Sequence, residues 1–474
     1  MALLVVTSCS NVDSKLENQI PADAVMVAKF DVLKFIEHSG IDIKDGKIVL
    51  PQKFMDMLRD MGTDLSNFDA EGAKFVESGV DFKNSIYCFV PADAKGDALV
   101  ALVPVSDAKK LQAYIEDQAG AKMEDKGGIL ALKVGGGNGL AIFDDVLYCL
   151  SGLGSTSPED RVKQLSSLEK SIAGNAAAVK AIDASEDLNI YLNNSFLQKI
   201  AAGKGAQMGG MAAQAQPVLE LLKDIKSTAY HVSLADGGLK FKHENDIEAN
   251  CDLAKLASQV VAKPSADLLP LLPKAKNVAV FSLALNGEGI ANLEMVKTYT
   301  NQLSGSPEKE KAFEIIKSIN GPITLAVASD ELTGQNFCGA LAFKCGKAGE
   351  LLGIVENSLD QLVTRKGDEL VLNQPINGRD GAIGVKNGAV YIKFGDKSFA
   401  ENLASVGAAK DIVGKSVCGA YFSVTQGAVE VEFAAEAADI KGSSAKVTIK
   451  ENGKKLSPLE AIGALYGAFK HLKN

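Results

Sequence analysis

This 474-residue chain runs through one order of elements twice, and that limits its fold more than any other feature does. QIPADAVMVAKFDV at 19–32 is echoed by LLPKAKNVAVFSLAL at 271–285; each reads as a proline, a short polar step and a strand. SIYCFVPADAKGDALVALVPVSDAKKLQAYIED (85–117) parallels PITLAVASDELTGQNFCGALAFKCGKAGELLGIVEN (322–357), and both read strand, loop, strand, amphipathic helix. GGILALKVGGGNGLAIFDDVLYCLSG (127–152) parallels DELVLNQPINGRDGAIGVKNGAVYIKFG (368–395), each a three-strand meander with glycine-rich turns. Helices are expected after these meanders at 157–172 and about 396–406. The hairpins TAYHVSLADGGLKFKHEN (228–245) and EAADIKGSSAKVTIKENG (436–453) close the two series, with terminal helices at 252–260 and 457–472. A solenoid needs three or more repeats, so two copies predict two like domains.

Turn chemistry sets the fold class. Asn387-Gly388, Asn452-Gly453 and Gly237-Gly238 supply the positive φ of tight hairpins, and strands so joined are antiparallel. Helices interrupting antiparallel strands predict an α+β fold: two related domains from internal duplication, each a largely antiparallel sheet with helices packed on it. Ser157-Pro158-Glu159-Asp160 and Ser457-Pro458-Leu459-Glu460 each place an N-cap serine, a first-turn proline and an acid at the third position. In the last helix Leu459, Ile462, Leu465, Tyr466, Phe469 and Leu472 form one apolar stripe. The first copy carries an extra helical stretch at 51–78. It also carries a Gly-, Ala-, Gln- and Met-rich segment at 201–218, read as a loop leading into a helix at 217–226.

Motifs for chemistry are sparse. A net charge of −9 with no run of five basic residues excludes a nucleic-acid surface. No later apolar stretch reaches the roughly 18 residues that span a bilayer. The absence of Trp argues against a flat aromatic platform for sugars or bases. Of the seven cysteines, Cys88, Cys149 and Cys418 lie in apolar strand-like runs and, with Cys251, Cys338 and Cys345, are expected as free thiols. With four histidines and no Cys-x-x-Cys, no metal or cofactor site is expected. KVGGGNGLAIF lies between strands and reads as a hairpin turn, because a phosphate loop needs a helix after its glycines. Gly414-Lys415-Ser416 lacks the earlier glycine of a phosphate loop, Ala409 standing in its place. Asp144-Asp145 reads as a turn. Glu244 and Asp246 beside His243 are the nearest thing to a polar constellation, and they read as a strand end. His231 reads as a half-buried strand residue. With neither Gly-x-Ser-x-Gly nor His-Glu-x-x-His present, no catalytic residue is assigned and the reading leans away from an enzyme.

The chain opens ALLVVTS before Cys9, too short to span a membrane. VVTSC resembles the lipobox of bacterial lipoproteins, whose cysteine is acylated. Cys9 is therefore the expected lipid attachment, and a basic leader is expected upstream of residue 1. The expected layout is a signal remnant at 1–9, a solvated tether at 10–19, a first repeat domain at 20–265 and a second at 266–474. IPADAVMVAKFDVLKFIEHSG after such a cysteine resembles an uncharacterised family of Bacteroidetes envelope lipoproteins, domain of unknown function 4836. The resemblance implies export and lipidation, and it brings no activity, cofactor or catalytic residue. The resulting expectation is a lipid-anchored cell-envelope protein, membrane-bound through its anchor, that binds a protein, peptide or glycan partner. The alternatives are a hydrolase of envelope or nutrient polymers with a carboxylate site, and a structural spacer.

Overall fold

Hairpins build this fold, as the turn residues require. The computed structural model describes residues 9–92, 98–194, 221, 223–303, 307–331, 337–395 and 406–470. Two units emerge: the first runs to Ile247 and takes back the segment from Lys455 onward, and the second is Glu248–Lys454.

The first unit contains α1 (Cys9–Glu17), β1 (Met26–Phe30), α2 (Val32–Ser39), a separate small hairpin β2–β3 (Asp42–Lys44, Lys47–Val49), α3 (Gln52–Asp60) and α4 (Phe68–Val76). It continues with β4 (Ile86–Val90), β5 (Val100–Pro104), α5 (Ala108–Ala119), β6 (Glu124–Asp125), β7 (Leu130–Val134), β8 (Asn138–Phe143) and β9 (Val146–Leu150). After α6 (Pro158–Ser166) and α7 (Ala176–Ile182) come β10 (Leu188–Asn193), β11 (Ile225–Ser233) and β12 (Gly238–Ile247). The strands pair antiparallel in the order β12-β11-β10-β1-β4-β5-β9-β8-β7-β6.

The second unit contains α8 (Asp252–Val260), β13 (Asn277–Asn286), α9 (Gly287–Ala291), α10 (Glu294–Leu303), α11 (Pro307–Lys317), β14 (Ile319–Ser329), β15 (Phe337–Cys345) and α12 (Ala348–Ser358). Then follow β16 (Val363–Lys366), β17 (Glu369–Leu372), β18 (Asp380–Lys386), β19 (Ala389–Gly395), α13 (Gly407–Lys415), β20 (Cys418–Gln426), β21 (Val429–Asp439) and β22 (Gly442–Glu451). Their order is β22-β21-β20-β13-β14-β15-β19-β18-β17-β16, again antiparallel throughout and following the same path as the first sheet. The fold is α+β.

Several expectations need correction. The segment 10–19 is no solvated tether: α1 occupies Cys9–Glu17, and Leu16 and Ile20 are fully buried. Four residues apart, these two fall on one side of the chain and join Val27, Tyr87, Phe89, Leu102 and Tyr148 in the core. Polar neighbours find partners in the same place. Tyr87 Oη donates to Glu17 Oε1 at 2.9 Å, and Tyr148 Oη donates to Gln19 Oε1 at 2.6 Å. Lys29 Nζ bridges Asp13 Oδ2 at 3.0 Å and Asp183 Oδ1 at 2.9 Å. Burial raises the Glu17 carboxyl above its usual value, with the Tyr87 hydrogen bond opposing.

The helical stretch after the first strand is not peculiar to the first unit, since α9, α10 and α11 occupy the same interval of the second unit. The β11–β12 turn has its positive φ at Asp236 (60°) and Gly237 (64°), and Gly238 already opens β12. The segment 201–218, the start of the helix expected at 217–226 and nearly all of 396–406 lie outside the described residues. Residues 225–226 open β11.

Across the first sheet, α1, α6 and α7 cover the face bearing Tyr87 and Tyr148. On the opposite face α5 buries Leu111 and Ile115 against Leu132, Ile142 and Leu147. Burying each such side chain contributes about 1.5–3 kcal/mol. The C-terminal helix, Pro458–Phe469, has a complete capping box between Ser457 and Glu460. It packs on α3 so closely that a Cβ on Gly463 would lie 2.5 Å from the Lys53 carbonyl carbon, whereas Gly467 faces open space.

These two glycines give opposite predictions. Gly463→Val is expected to part the helix from α3 and cost about 1–3 kcal/mol. Gly467→Ala is expected to stabilise by about 0.5–1 kcal/mol through helix propensity alone. Thermal melts of the two variants against wild type check both signs.

Candidate functional site

At the β12 end of the first sheet, register places polar residues of three strands on one face. Asn189 pairs with His231 and His231 with Lys242; Tyr191 pairs with Ala229 and Ala229 with Glu244; Ser227 pairs with Asp246. Alternation along each strand turns all of these to the same side. Helix α7 forms the opposing wall through Ala177, Lys180 and Ala181, with Ala184 and Glu186 from the loop that follows. The resulting cleft has a volume of about 520 Å³.

His231 sits at its floor, only 4% exposed. Its Nδ1 lies 2.8 Å from Asn189 Oδ1. The Asn189 amide is oriented by its other end, where Nδ2 donates to the carbonyls of Ala184 at 2.9 Å and Glu186 at 3.2 Å. Oδ1 must therefore accept, so the proton is on Nδ1 and Nε2 presents a lone pair to the cleft. Burial lowers the imidazole's pKa below 6.5, against the opposing pull of Glu186 and Glu244, while Lys242 adds to the lowering. The nearer carboxylate, Glu244 Oε2, is 3.8 Å from Nε2, beyond hydrogen-bond reach. Its other oxygen, Oε1, pairs with Lys242 Nζ at 2.5 Å, which holds the Glu244 carboxyl below its usual value. Glu186 Oε2 is buried with no hydrogen-bond partner among the described residues.

The polar residues of KHENDIE, read from sequence as a strand end, divide between the two faces of β12. Glu244 and Asp246 do line the cleft, but His243 faces away and stacks on Tyr230 at 5.1 Å between ring centroids. The histidine in the cleft is His231, read from sequence only as a strand residue. Counting outward from the Asp236-Gly237 turn pairs His231 with Lys242, so the signal lay in the hairpin register. Glu186 comes from another part of the chain and left no sequence signal.

The other sequence candidates serve structure. Asp144 and Asp145 form the β8–β9 turn with φ of 52° and 59°, and Asp144 Oδ2 pairs with Lys15 of α1 at 2.9 Å. Gly135–Gly137 join β7 to β8. Lys415 ends α13 and pairs with Asp411 at 3.0 Å. Cys88, Cys149, Cys251, Cys338, Cys345 and Cys418 are free thiols. Burial, with Cys88 nearby, pushes the Cys149 thiol up to about 11, which disfavours its thiolate. Cys9 heads α1. Among the described residues, no three His, Cys, Asp or Glu side chains gather as a metal site.

A second surface lies on the sheet of the second unit. One face carries the core of Val278, Val280, Ala326, Ala340, Ala342 and Tyr391. On the other, Phe281 registers with Leu325, Leu341 and Ile392, and Ala279 with Val327, Gly339 and Phe394. Phe281 is 47% exposed, Leu325 40%, Phe394 39% and Val327 36%. The Phe394 ring lies over Gly339, where a Cβ would collide with it. Phe422 and Phe433 stack at 5.2 Å on the flank. Helices α11 and α12 cover the Phe343 and Val390 end of this face, and Phe281, Leu325, Val327 and Phe394 form an exposed apolar patch beyond them.

His231 gives a pH prediction. In the interval between its lowered folded pKa and 6.5 the unfolded chain binds more protons, so its contribution is complete above pH 6.5 and is lost as pH falls. Urea midpoints measured from pH 7.5 to 5 are expected to fall less steeply for His231→Gln than for wild type.

Residues 16–375 match the family described as Domain of unknown function (DUF4836). None of the curated proteins matches. Among solved structures, crystal form I of TP0453 is similar at 10% identity over 48% of this chain and 77% of that one, with a TM-score of 0.28. Crystal form III gives 10% identity, coverage of 51% and 85% and a TM-score of 0.26. At these scores the likeness carries no argument about fold or ligand.

Proposed function

The chain belongs to the DUF4836 family, and on that footing we propose that it is a lipid-anchored bacterial envelope protein of the Bacteroidetes kind, binding a partner rather than catalysing a reaction. The observation that carries the binding role is the open apolar face of the second unit, with Phe281, Leu325, Val327 and Phe394 exposed in adjacent register. Apolar patches of this sort on soluble domains mark interaction surfaces. Exposed aliphatic and aromatic side chains at the centre, with Arg379 over the neighbouring Phe337 ring at 3.7 Å, suit a protein or peptide better than a glycan. Support for the anchor comes from the order of residues leading to Cys9. One acyl chain binds membranes only marginally, so stable attachment calls for the several chains of a mature lipoprotein. The shared strand order of the two sheets supports their origin by internal duplication.

Two measurements test the reading. Metabolic labelling with a fatty-acid analogue, from a gene with its native upstream start, is expected to mark wild type and not Cys9→Ala. An unlabelled wild type overturns the anchor. A photo-crosslinker at position 281 is expected to give one defined adduct in the native bacterium, abolished by Leu325→Glu. The same adduct in that variant, or none in wild type, overturns the binding face.

A further inference from the structure

The cleft beside α7 in the first unit carries an inference independent of the anchor and of the open face. Around His231 its floor holds acceptors that the neighbouring Lys242 does not satisfy. His231 Nε2 offers a lone pair, because Nδ1–H is committed to Asn189. Glu186 Oε2 is buried without a partner among the described residues. Glu244 Oε2 stands 3.8 Å from His231 Nε2, while Oε1 takes the Lys242 ammonium. Two neighbouring acceptors cannot satisfy each other, so a buried group of this kind awaits a donor. The charges agree: Glu186, Glu244 and Asp246 face the cleft against Lys180 and Lys242. The walls are apolar and small, from Ala177, Ala181 and Ala184 on one side and Ala229 with the Tyr191 ring on the other.

We propose that this cleft is a binding site for a primary alkylammonium group, its N–H donors shared among His231 Nε2, Glu186 and Glu244 and its aliphatic stem lying along the alanines. An ammonium has three donors and no acceptor, the complement of this floor. The volume of about 520 Å³ falls within the range of small-ligand pockets. A quaternary ammonium has the charge and lacks the donors, and an alcohol brings one donor without the charge, so the three chemistries separate cleanly.

The test is a titration of the full chain, with its histidines labelled by ¹⁵N, using butylammonium, butyltrimethylammonium and butanol. The four histidines allow the His231 Nε2 resonance to be assigned from a His231→Gln spectrum. Butylammonium is expected to shift that resonance saturably, as a lone pair becomes a hydrogen-bond acceptor. Binding is expected to be at least tenfold weaker for butyltrimethylammonium, for butanol, and for butylammonium with Glu186→Gln. Ala177→Leu, at an exposed wall position, is expected to block the cleft with the core intact and to abolish the shift. No saturable shift with butylammonium overturns the site. Equal binding of the trimethyl analogue overturns the donor argument, and unchanged binding in both variants overturns the location.

Discussion

An antiparallel sheet turns alternate side chains to opposite faces, so every such sheet has two surfaces to account for. Which surface gets a helix decides what each unit can do. In the first unit α1, α6 and α7 dry one face and α5 dries part of the other. The cleft lies where the cover of α7 reaches the outer strands β11 and β12. In the second unit α13 and the 268–272 turn cover the Val280 face, while α11 and α12 cover only the Phe343 and Val390 end of the other and leave Phe281, Leu325, Val327 and Phe394 exposed. Both candidate surfaces therefore follow from where covering runs out. The sheet supplies the rigidity that either would need, since side chains held in strand register keep their spacing without loop ordering.

The buried polar contacts under α1 show how a polar segment becomes part of a core. Two tyrosines, one lysine, the amide of Gln19 and the acids of α1 exchange their hydration for one another. Such a network gains little net free energy over water. Leaving one member unpaired costs more, about 1–3 kcal/mol, so the network specifies one seat for the helix rather than merely adding stability.

Much of the fold was legible because turns and caps are local. Asn387-Gly388 set a hairpin with φ of 52° and 74°, and Ser457 with Glu460 closed its capping box, both as read from the chain. What escaped was long-range. Residues 10–19 look like tether because eight of the ten are polar or charged, and only Val12 and Leu16 within that run, with Ile20 just beyond it, signal burial. The apolar stripe of the last helix says that it must be covered, and nothing in it names α3 as the cover. The cleft mixes both cases. Glu244 and Asp246 were visible side by side, His231 needed the register counted from a turn, and Glu186 arrives through tertiary packing alone.

The replacement of a tether by α1 bears on the attachment proposed through Cys9. At about 1.5 Å per residue, a helix from Cys9 to Leu16 spans only about 10 Å, against roughly 25 Å for the same length of extended chain. Leu16 is seated in the core and α1 is clamped through Asp13, Glu17 and Lys15. An acyl group on Cys9, as proposed, would keep the first unit within about 10 Å of chain from the lipid and would confine its search for partners to a thin layer above it.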